Sequence, residues 1–559
     1  MEAERKRVRD WERIFGQADA KVRDRLGAIY GDREDWIADR MRAYRVLSQA
    51  FSRTFPSQDE AIVLRVPGRI SIMGVHTDGQ RSYKNYMVFH RETLVMAAPR
   101  DDDRVVAYNL DARFEPSPFR IEEELPPHRR GGWMAYIAGV RIPRGHWMNY
   151  VRAAVLILQD RFPDRTLRGM DLMVSGDIPL SAGLSSSSAL VVATALATVA
   201  LNELEISRGA LAGLCGEGEW YVGTRGGAGD HAAQLFGKRD HILHIMFTPV
   251  TFVPFTFEYL PFPRGVRIVI VNSLKEARKA VEARNASTAR AVAQWIGRMC
   301  IEERLSARLE FLCDLITPAF DLSACLQQAG VRTPVCRQAG AQAGLSDADL
   351  YRLLRSLPET MTQKELRARF HRLPDELEDL LQAHDEPAEG YLIRQHGLYT
   401  LAECRRGDVA AYFLKAGDMK AFGEMMTIAH NGDRRVSYGA DGEKRTWDDR
   451  VRDTDLDRLI RDFEEGNADE RERARLFRQP GGFGCSCEEL DQLVDLSSSV
   501  DGVLGARLTG AGLGGCILVL AEQESVGALL ARLNEGYYQP RGLPLSAEVC
   551  MPVEGGGFL

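Results

Sequence analysis

The chain has 559 residues, of which 45% are hydrophobic and 27% charged, with a formal net charge of -7 and an isoelectric point near 6.0. This is the composition of an ordinary globular protein of roughly two to four domains. The acidic balance argues against nucleic-acid or anionic-membrane partners, which favour basic patches. The opening MEAERKRVRDWERIF carries no apolar signal segment, and no apolar run reaches the ~18 residues of a bilayer span, so a cytoplasmic location is expected. The ten cysteines are scattered apart from Cys485 and Cys487, whose C-x-C spacing has no second pair or histidine nearby. Reduced, mostly buried thiols are expected there rather than a zinc site.

In chain order, residues 5–55 place Trp11, Ile14, Leu26, Ile29, Trp36, Met41, Tyr44, Leu47 and Phe51 at spacings near three and four, which predicts two or three amphipathic helices ended by Pro56. Ala61 to Val66 reads as a strand. Up to about residue 260, strand-like runs (Leu94 to Ala98, Met170 to Val174, Ile242 to Phe247) alternate with helical ones (Asn149 to Asp160, Ser186 to Leu204), a mixed α/β domain. Val266 to Asn272 is a strand that opens a second domain, residues 275–430 are mainly helical with an insertion near 300–390, and Asn431 to Arg452 and Gly466 to Arg475 read as solvated loops. The expected division is therefore a helical extension over 1–60, one domain over 61–260 and a second over 261–559.

Pro179 to Ala189, PLSAGLSSSSA, follows a strand and opens into the apolar run Leu190 to Leu201. Serine favours helix N-caps, so Ser185 to Ser188 either cap a buried helix or line an anion site. The first helical turn leaves N–H groups without partners and carries about half a positive charge, which stabilises a phosphate without any lysine. The loop is not a Walker A sequence: no GxxxxGK[ST] occurs, and Gly237-Lys238-Arg239 lacks both the glycine spacing and the hydroxyl residue.

Two further segments accompany it, Arg65 to Gln80 (RVPGRISIMGVHTDGQ) and Leu508 to Cys516 (LTGAGLGGC). In this order the three resemble the motifs of the GHMP small-molecule kinases, and within them the galactokinases. Trp147 to Val151, Phe422 to Met426 with Ala429-His430, and Ser486 to Leu493 extend the resemblance from about residue 61 to the C-terminus. It implies an α+β, two-domain fold, with an N-terminal mixed α/β domain, a C-terminal ferredoxin-like domain and the active site in the cleft between them. It further implies phosphoryl transfer from ATP, with Mg²⁺, to a sugar hydroxyl, usually the anomeric one.

Residue by residue, Gly223 to His231 (GTRGGAGDH) resembles the segment that ends in the family's catalytic aspartate, which makes Asp230 the candidate base, and Arg69 matches the arginine of its P-G-R motif. A base orients the attacking hydroxyl and the arginine neutralises charge on the transferring phosphoryl. The nucleotide phosphates are expected on Gly183, Leu184, Ser185, Ser186, Ser187 and Ser188, closed over by Gly510, Gly512 and Gly514, where glycine lets the backbone approach. Mg²⁺ is expected on the hydroxyl of Ser186 or Ser187 and on a carboxylate.

The chain departs from the family twice. The family's metal-binding glutamate falls on Gly218, flanked by Glu217 and Glu219, and Glu219 can replace it only through a slip that turns a side chain by about 100°. The sugar loop reads Gly74-Val75-His76-Thr77-Asp78-Gly79 where galactokinases have G-E-H-T-D-Y. Asp78 and His76 can still take ring hydroxyls, but Val75 cannot accept a hydrogen bond from a 6-hydroxyl, a loss of about 1–3 kcal/mol. A pentose such as arabinose, a 6-deoxy sugar or a uronic acid fits better; the last needs a cation, for which Arg81 or Lys84 is available unless both are solvated loop charges. Tyr83, Tyr86 and Phe89 are expected as core or wall residues. An inactive sugar and nucleotide sensor, or a kinase of a non-sugar alcohol such as mevalonate or homoserine, are the alternatives.

Overall fold

Two long strands, Glu60–Met73 and Tyr83–Pro99, run antiparallel through the middle of a nine-stranded sheet and set the frame for everything else. A computed structural model describes residues 3–17, 19–77, 79–142, 145–223, 226–246, 256–276, 281–316, 345–439 and 441–559. Glu60–Met73 is buried along nearly its whole length because both of its faces are covered. Successive side chains point to opposite faces. Ile62, Leu64 and Val66 join a core with the helices Met148–Arg161 and Ser186–Leu201, while Ala61 and Val63 join a separate core with the N-terminal helices.

Those N-terminal helices are three, Val8–Gly16, Ala20–Tyr30 and Glu34–Thr54. Their apolar stripes cover the outer face of the sheet, with Trp11 donating its Nε1–H to Ala61 O at 2.9 Å and Trp36 stacked 3.9 Å from the His90 ring. The Ser186–Leu201 helix has almost no polar face, as befits a helix enclosed on all sides.

The second sheet has four antiparallel strands in the spatial order Val503–Leu508, Cys516–Glu522, Val266–Asn272 and Ala547–Cys550. With helices between the first and second strands in sequence and between the third and fourth, this is a split βαβ, ferredoxin-like arrangement. Ile268, Ile270, Leu518 and Leu520 pack toward the core of the first sheet; Val269, Val271, Ile517 and Val519 pack under the helices Glu488–Ser498 and Val526–Leu533. The chain then returns, and Gly557–Phe558 pairs with Leu64 and Arg65. The last strand thus joins the first sheet.

The helical region has its own core and is joined to both sheets by the Ile393–Ala416 helix, whose first half enters that core while Ala410 and Leu414 enter the core of the first sheet. Of the insertion expected near 300–390, residues 317–344 lie outside the described ones. The two segments expected as solvated loops hold regular structure. The Met419–Asp433 helix runs into the first, followed by a hairpin of Val436–Tyr438 with Lys444–Thr446, and the second contains the helix Ala468–Arg473. Asn467 caps that helix by accepting from the N–H groups of Asp469 and Glu470, a capping box hidden within a run of charge. Among the described residues no helix is long and apolar enough to cross a membrane.

Candidate active site

The serine loop does not serve as a helix cap. Ser185 is the N-cap residue of Ser186–Leu201, in the left-handed region (φ 61°), and its side chain makes no capping bond. Its hydroxyl donates instead to Asp230 Oδ2, and the Ser188 hydroxyl donates to Glu219 Oε2 at 3.0 Å. The helix N-terminus therefore keeps its unpaired N–H groups without a serine cap, in the arrangement that stabilises an anion.

The two glycine-rich loops meet backbone to backbone. A Cβ on Gly510 (φ 78°) would lie 2.5 Å from the Gly183 Cα, so the contact closes only with glycine at that position. Gly512 and Gly514 continue the same loop at positive φ, which L side chains rarely adopt. The nine residues expected around the phosphates thus come from two loops that touch across the two sheets.

Arg69 projects from Glu60–Met73, almost fully buried, and holds Asp230 with both arms of its guanidinium: Nε donates to Oδ1 at 2.6 Å and Nη2 to Oδ2 at 2.5 Å. Its Nη1 donates to Gly183 O at 2.8 Å, and its backbone N–H to Leu184 O at 3.2 Å. The carbonyls of Gly183 and Leu184 are thereby spent on Arg69, leaving the N–H side of the loop for a ligand. Asp230 is the second residue of the helix Gly229–Phe236, where the helix dipole favours a carboxylate. Gln234, one turn on, donates to Ser185 O at 3.0 Å and fixes this helix to the loop.

Packing places the two glutamates that flank Gly218 in different surroundings. A Cβ on Gly218 would stand 3.1 Å from the Ala153 carbonyl, against the neighbouring Met148–Arg161 helix, so a side chain there would require its neighbours to give way by a few tenths of an ångström. The helix ends one residue later, at Glu219, and turns that side chain toward Ser188 and His231, whose Nε2 is 3.0 Å away. Burial alone would raise the Glu219 carboxyl; the His231 ring and the hydroxyls of Ser188 and Ser187 outweigh it and hold the group below its ordinary value. Glu217 lies on another side of the helix, where burial and the nearby Asp160 raise it.

In the sugar loop, Asp78 lies outside the described residues. Val75 is buried, and the N–H groups of Gly74 and Val75 both donate to Glu403 Oε1 at 2.9 Å. Glu403 is itself fully buried between Arg406 (2.6 Å) and Arg507 (2.8 Å), whose charges overcome the penalty of burial and bring its carboxyl down to about 2. The His76 imidazole, expected to face a ring hydroxyl, stacks on Phe483 with centroids 4.7 Å apart and brings Nε2 to 3.2 Å from Cys485 Sγ.

Neither cation proposed for a uronic acid is a solvated loop charge. Arg81 is paired with the buried Asp314 at 2.5 Å, and Lys84 is enclosed within the sheet. Tyr86 and Phe89 are core residues as expected, while Tyr83 stacks 4.1 Å from the His244 ring. The residues that sequence reasoning missed are His231, Glu403 and Arg406. His231 adjoins Asp230 and was legible as a neighbour, but nothing in the local sequence of the Ile393–Ala416 helix marks Glu403 as the group beneath the sugar loop.

Comparison with known proteins gives the same picture. Residues 149–238 match the GHMP kinases N terminal domain, and residues 454–539 match the GHMP kinases C terminal domain. The chain is 26% identical over 497 residues to a galactokinase of Roseiflexus sp. (strain RS-1), covering 89% of this chain and 92% of that protein. It is 25% identical to a galactokinase of Dictyostelium discoideum, covering 94% and 93%. Among solved structures, Lactococcus lactis galactokinase complexed with galactose superposes with a TM-score of 0.59 at 21% identity, covering 92% of this chain and 99% of that one.

Proposed function

We propose that the chain is a GHMP kinase that transfers the γ-phosphoryl of ATP to a galactose-like sugar, at the anomeric hydroxyl. The observation that carries the reading is the Arg69–Asp230 fork set beside the uncapped N-terminus of Ser186–Leu201. Asp230 orients the sugar hydroxyl and takes its proton, while Arg69 lies against the same carboxylate, where negative charge builds on the phosphoryl in flight. The N–H groups of the serine loop and the loop containing Gly510 enclose the nucleotide phosphates.

Magnesium fits the residues present, because Glu219 is an ionised, buried carboxylate reached by serine hydroxyls, which is an all-oxygen donor set. Glu219 and Ser187 would hold the ion, which when bound shields the charge of the β- and γ-phosphates. His231 keeps Glu219 aimed at the serine loop.

For the sugar, Asp78 is the proposed orienting group and Val75 the proposed selector. An apolar side chain there favours arabinose or a 6-deoxy sugar over galactose. The uronic acid is the weakest of the three substrates, since Arg81 is already neutralised by Asp314. The test is ADP release from ATP and Mg²⁺ across galactose, arabinose, fucose, glucuronate and galacturonate. Turnover that requires Asp230 is the expected result; sugar and ATP binding without turnover would point to a sensor, and turnover of mevalonate or homoserine alone to a different kinase.

A further inference from the structure

We propose that His76, Asp433 and Cys485 form a binding site for a borderline-soft divalent transition-metal ion, with Zn²⁺ its best match, separate from the magnesium position at Glu219. The proposal does not depend on which sugar is phosphorylated, but it gives His76, expected to take a ring hydroxyl, to the metal instead. The three donors come from three distant segments: the sugar loop, the end of the Met419–Asp433 helix and the strand-free stretch before Glu488–Ser498. Cys485 Sγ lies 3.2 Å from His76 Nε2 and 3.2 Å from Asp433 Oδ1, and all three donor atoms fall within 4.8 Å of one another. A tetrahedral zinc holds thiolate and imidazole donors roughly 3.5 Å apart, so these side chains need only small adjustments to share an ion.

The surroundings fix the donors as a metal site requires. The Phe483 and Gly484 N–H groups both donate to Gly432 O, the Ser486 N–H donates to Asp433 O, and the Arg290 guanidinium donates to Phe483 O and Gly484 O. These bonds zip the segment bearing Asp433 to the segment bearing Cys485. The second oxygen of Asp433 is turned to the Tyr399 hydroxyl at 3.4 Å and the Arg507 guanidinium at 3.9 Å, leaving Oδ1 for the site. Such outer partners orient ligating carboxylates. His76 is held at a φ of 63°, a backbone state costly for a residue with a side chain, and its ring is clamped on Phe483.

The donor set chooses the ion. A thiolate with an imidazole and one carboxylate selects zinc, cobalt(II) or iron(II) over magnesium or calcium, which take oxygen ligands. Asp433 and Cys485 are fully enclosed and His76 is the partly exposed member, so the fourth ligand position opens on the sugar-loop side. An ion here ties the sugar loop to the C-terminal half of the chain. The C-x-C spacing of Cys485 and Cys487 gave no hint of it, because the partners of Cys485 are far away in sequence.

The test uses the full chain, stripped with a chelator and titrated with Co²⁺ and then Zn²⁺. One equivalent of cobalt is expected to give a thiolate-to-cobalt charge-transfer band with d–d bands of tetrahedral intensity, and zinc is expected to bleach them. Cys485→Ser is expected to abolish the charge-transfer band, His76→Gln and Asp433→Asn to weaken binding, and Tyr399→Phe to weaken it roughly 10-fold; Cys487→Ser is expected to leave the band unchanged. Absence of the band in the unmodified protein, or a band that disappears with Cys487→Ser and survives Cys485→Ser, would overturn the assignment. The first of these needs no variant and so does not depend on any substitution folding.

Discussion

Arg69 and Asp230, 161 residues apart in sequence, meet through two parallel N–H···O contacts of 2.6 and 2.5 Å between a central strand and the first turn of a helix. A planar fork on a carboxylate is stronger and more directional than a point-charge pair. If Asp230 is the base, Asp230→Asn keeps the shape and lowers kcat by about 10²–10⁴-fold while ATP still binds. Arg69→Lys keeps the charge but not the fork, and is expected to cost roughly 10²-fold in kcat. Single-turnover ADP formation alongside nucleotide affinity checks both; undiminished turnover in Asp230→Asn would remove the base assignment.

The neighbouring carboxylate gives a second test, because two adjacent positions are expected to fail in different ways. Gly218→Glu forces a side chain against the Ala153 carbonyl and Ile157, and overpacking of this kind costs about 1–3 kcal/mol of stability, readable by urea unfolding. Glu219→Gln removes charge without changing volume. At neutral pH it gives up the contacts with His231 and the serine hydroxyls that favour the ionised carboxyl, so a loss of stability without overpacking is expected, and the magnesium concentration for half-maximal turnover is expected to rise by roughly 10-fold. An unchanged magnesium requirement in Glu219→Gln would exclude it as a ligand.

How far the site was legible in the sequence follows from how local each signal is. The serine loop, the Pro67-Gly68-Arg69 segment and the Gly510 loop each sit in one short stretch, and the structure brings them together through several backbone contacts. The strand-helix alternation of the first sheet was readable from period-two and period-four patterns. What stayed hidden is non-local or masked by charge. Glu403 has its meaning only because Gly74, Val75 and Arg507 arrive from elsewhere, and Asn467 caps a helix inside a segment whose polarity resembles a loop. The different surroundings of Glu217 and Glu219 depend on which face of a helix meets the Ala153 carbonyl, and a sequence without partners does not fix that.

Val75 carries the substrate prediction. If the buried valine selects against a 6-hydroxyl, Val75→Glu supplies an acceptor and shifts the ratio of kcat/KM for galactose over arabinose toward galactose by about 5–150-fold, the equivalent of about 1–3 kcal/mol. The backbone N–H of Val75 remains anchored to Glu403, so the loop is expected to keep its course. A ratio that does not move, or one that moves toward arabinose, would show that selection lies elsewhere in the pocket.

Beneath that loop, Glu403 gives the fold a dependence on pH whose direction is set by its surroundings. Arg507 and Arg406 hold the folded carboxyl at about 2, below the value of about 4.3 expected in an unfolded chain. The ionised group therefore stabilises the fold at pH values above about 4.3, and that contribution is lost as the pH falls toward 2. Glu403→Gln leaves two buried guanidinium groups without their anion, and breaking a buried pair from one side costs about 3–5 kcal/mol at pH 7. Because glutamine does not titrate, the difference in unfolding free energy between parent and variant is expected to narrow between pH 5 and pH 3 as the parent approaches its own loss. Urea unfolding at several pH values measures it, and parallel stability curves for the two proteins over that range would mean that the folded chain does not hold the Glu403 carboxyl below its unfolded value.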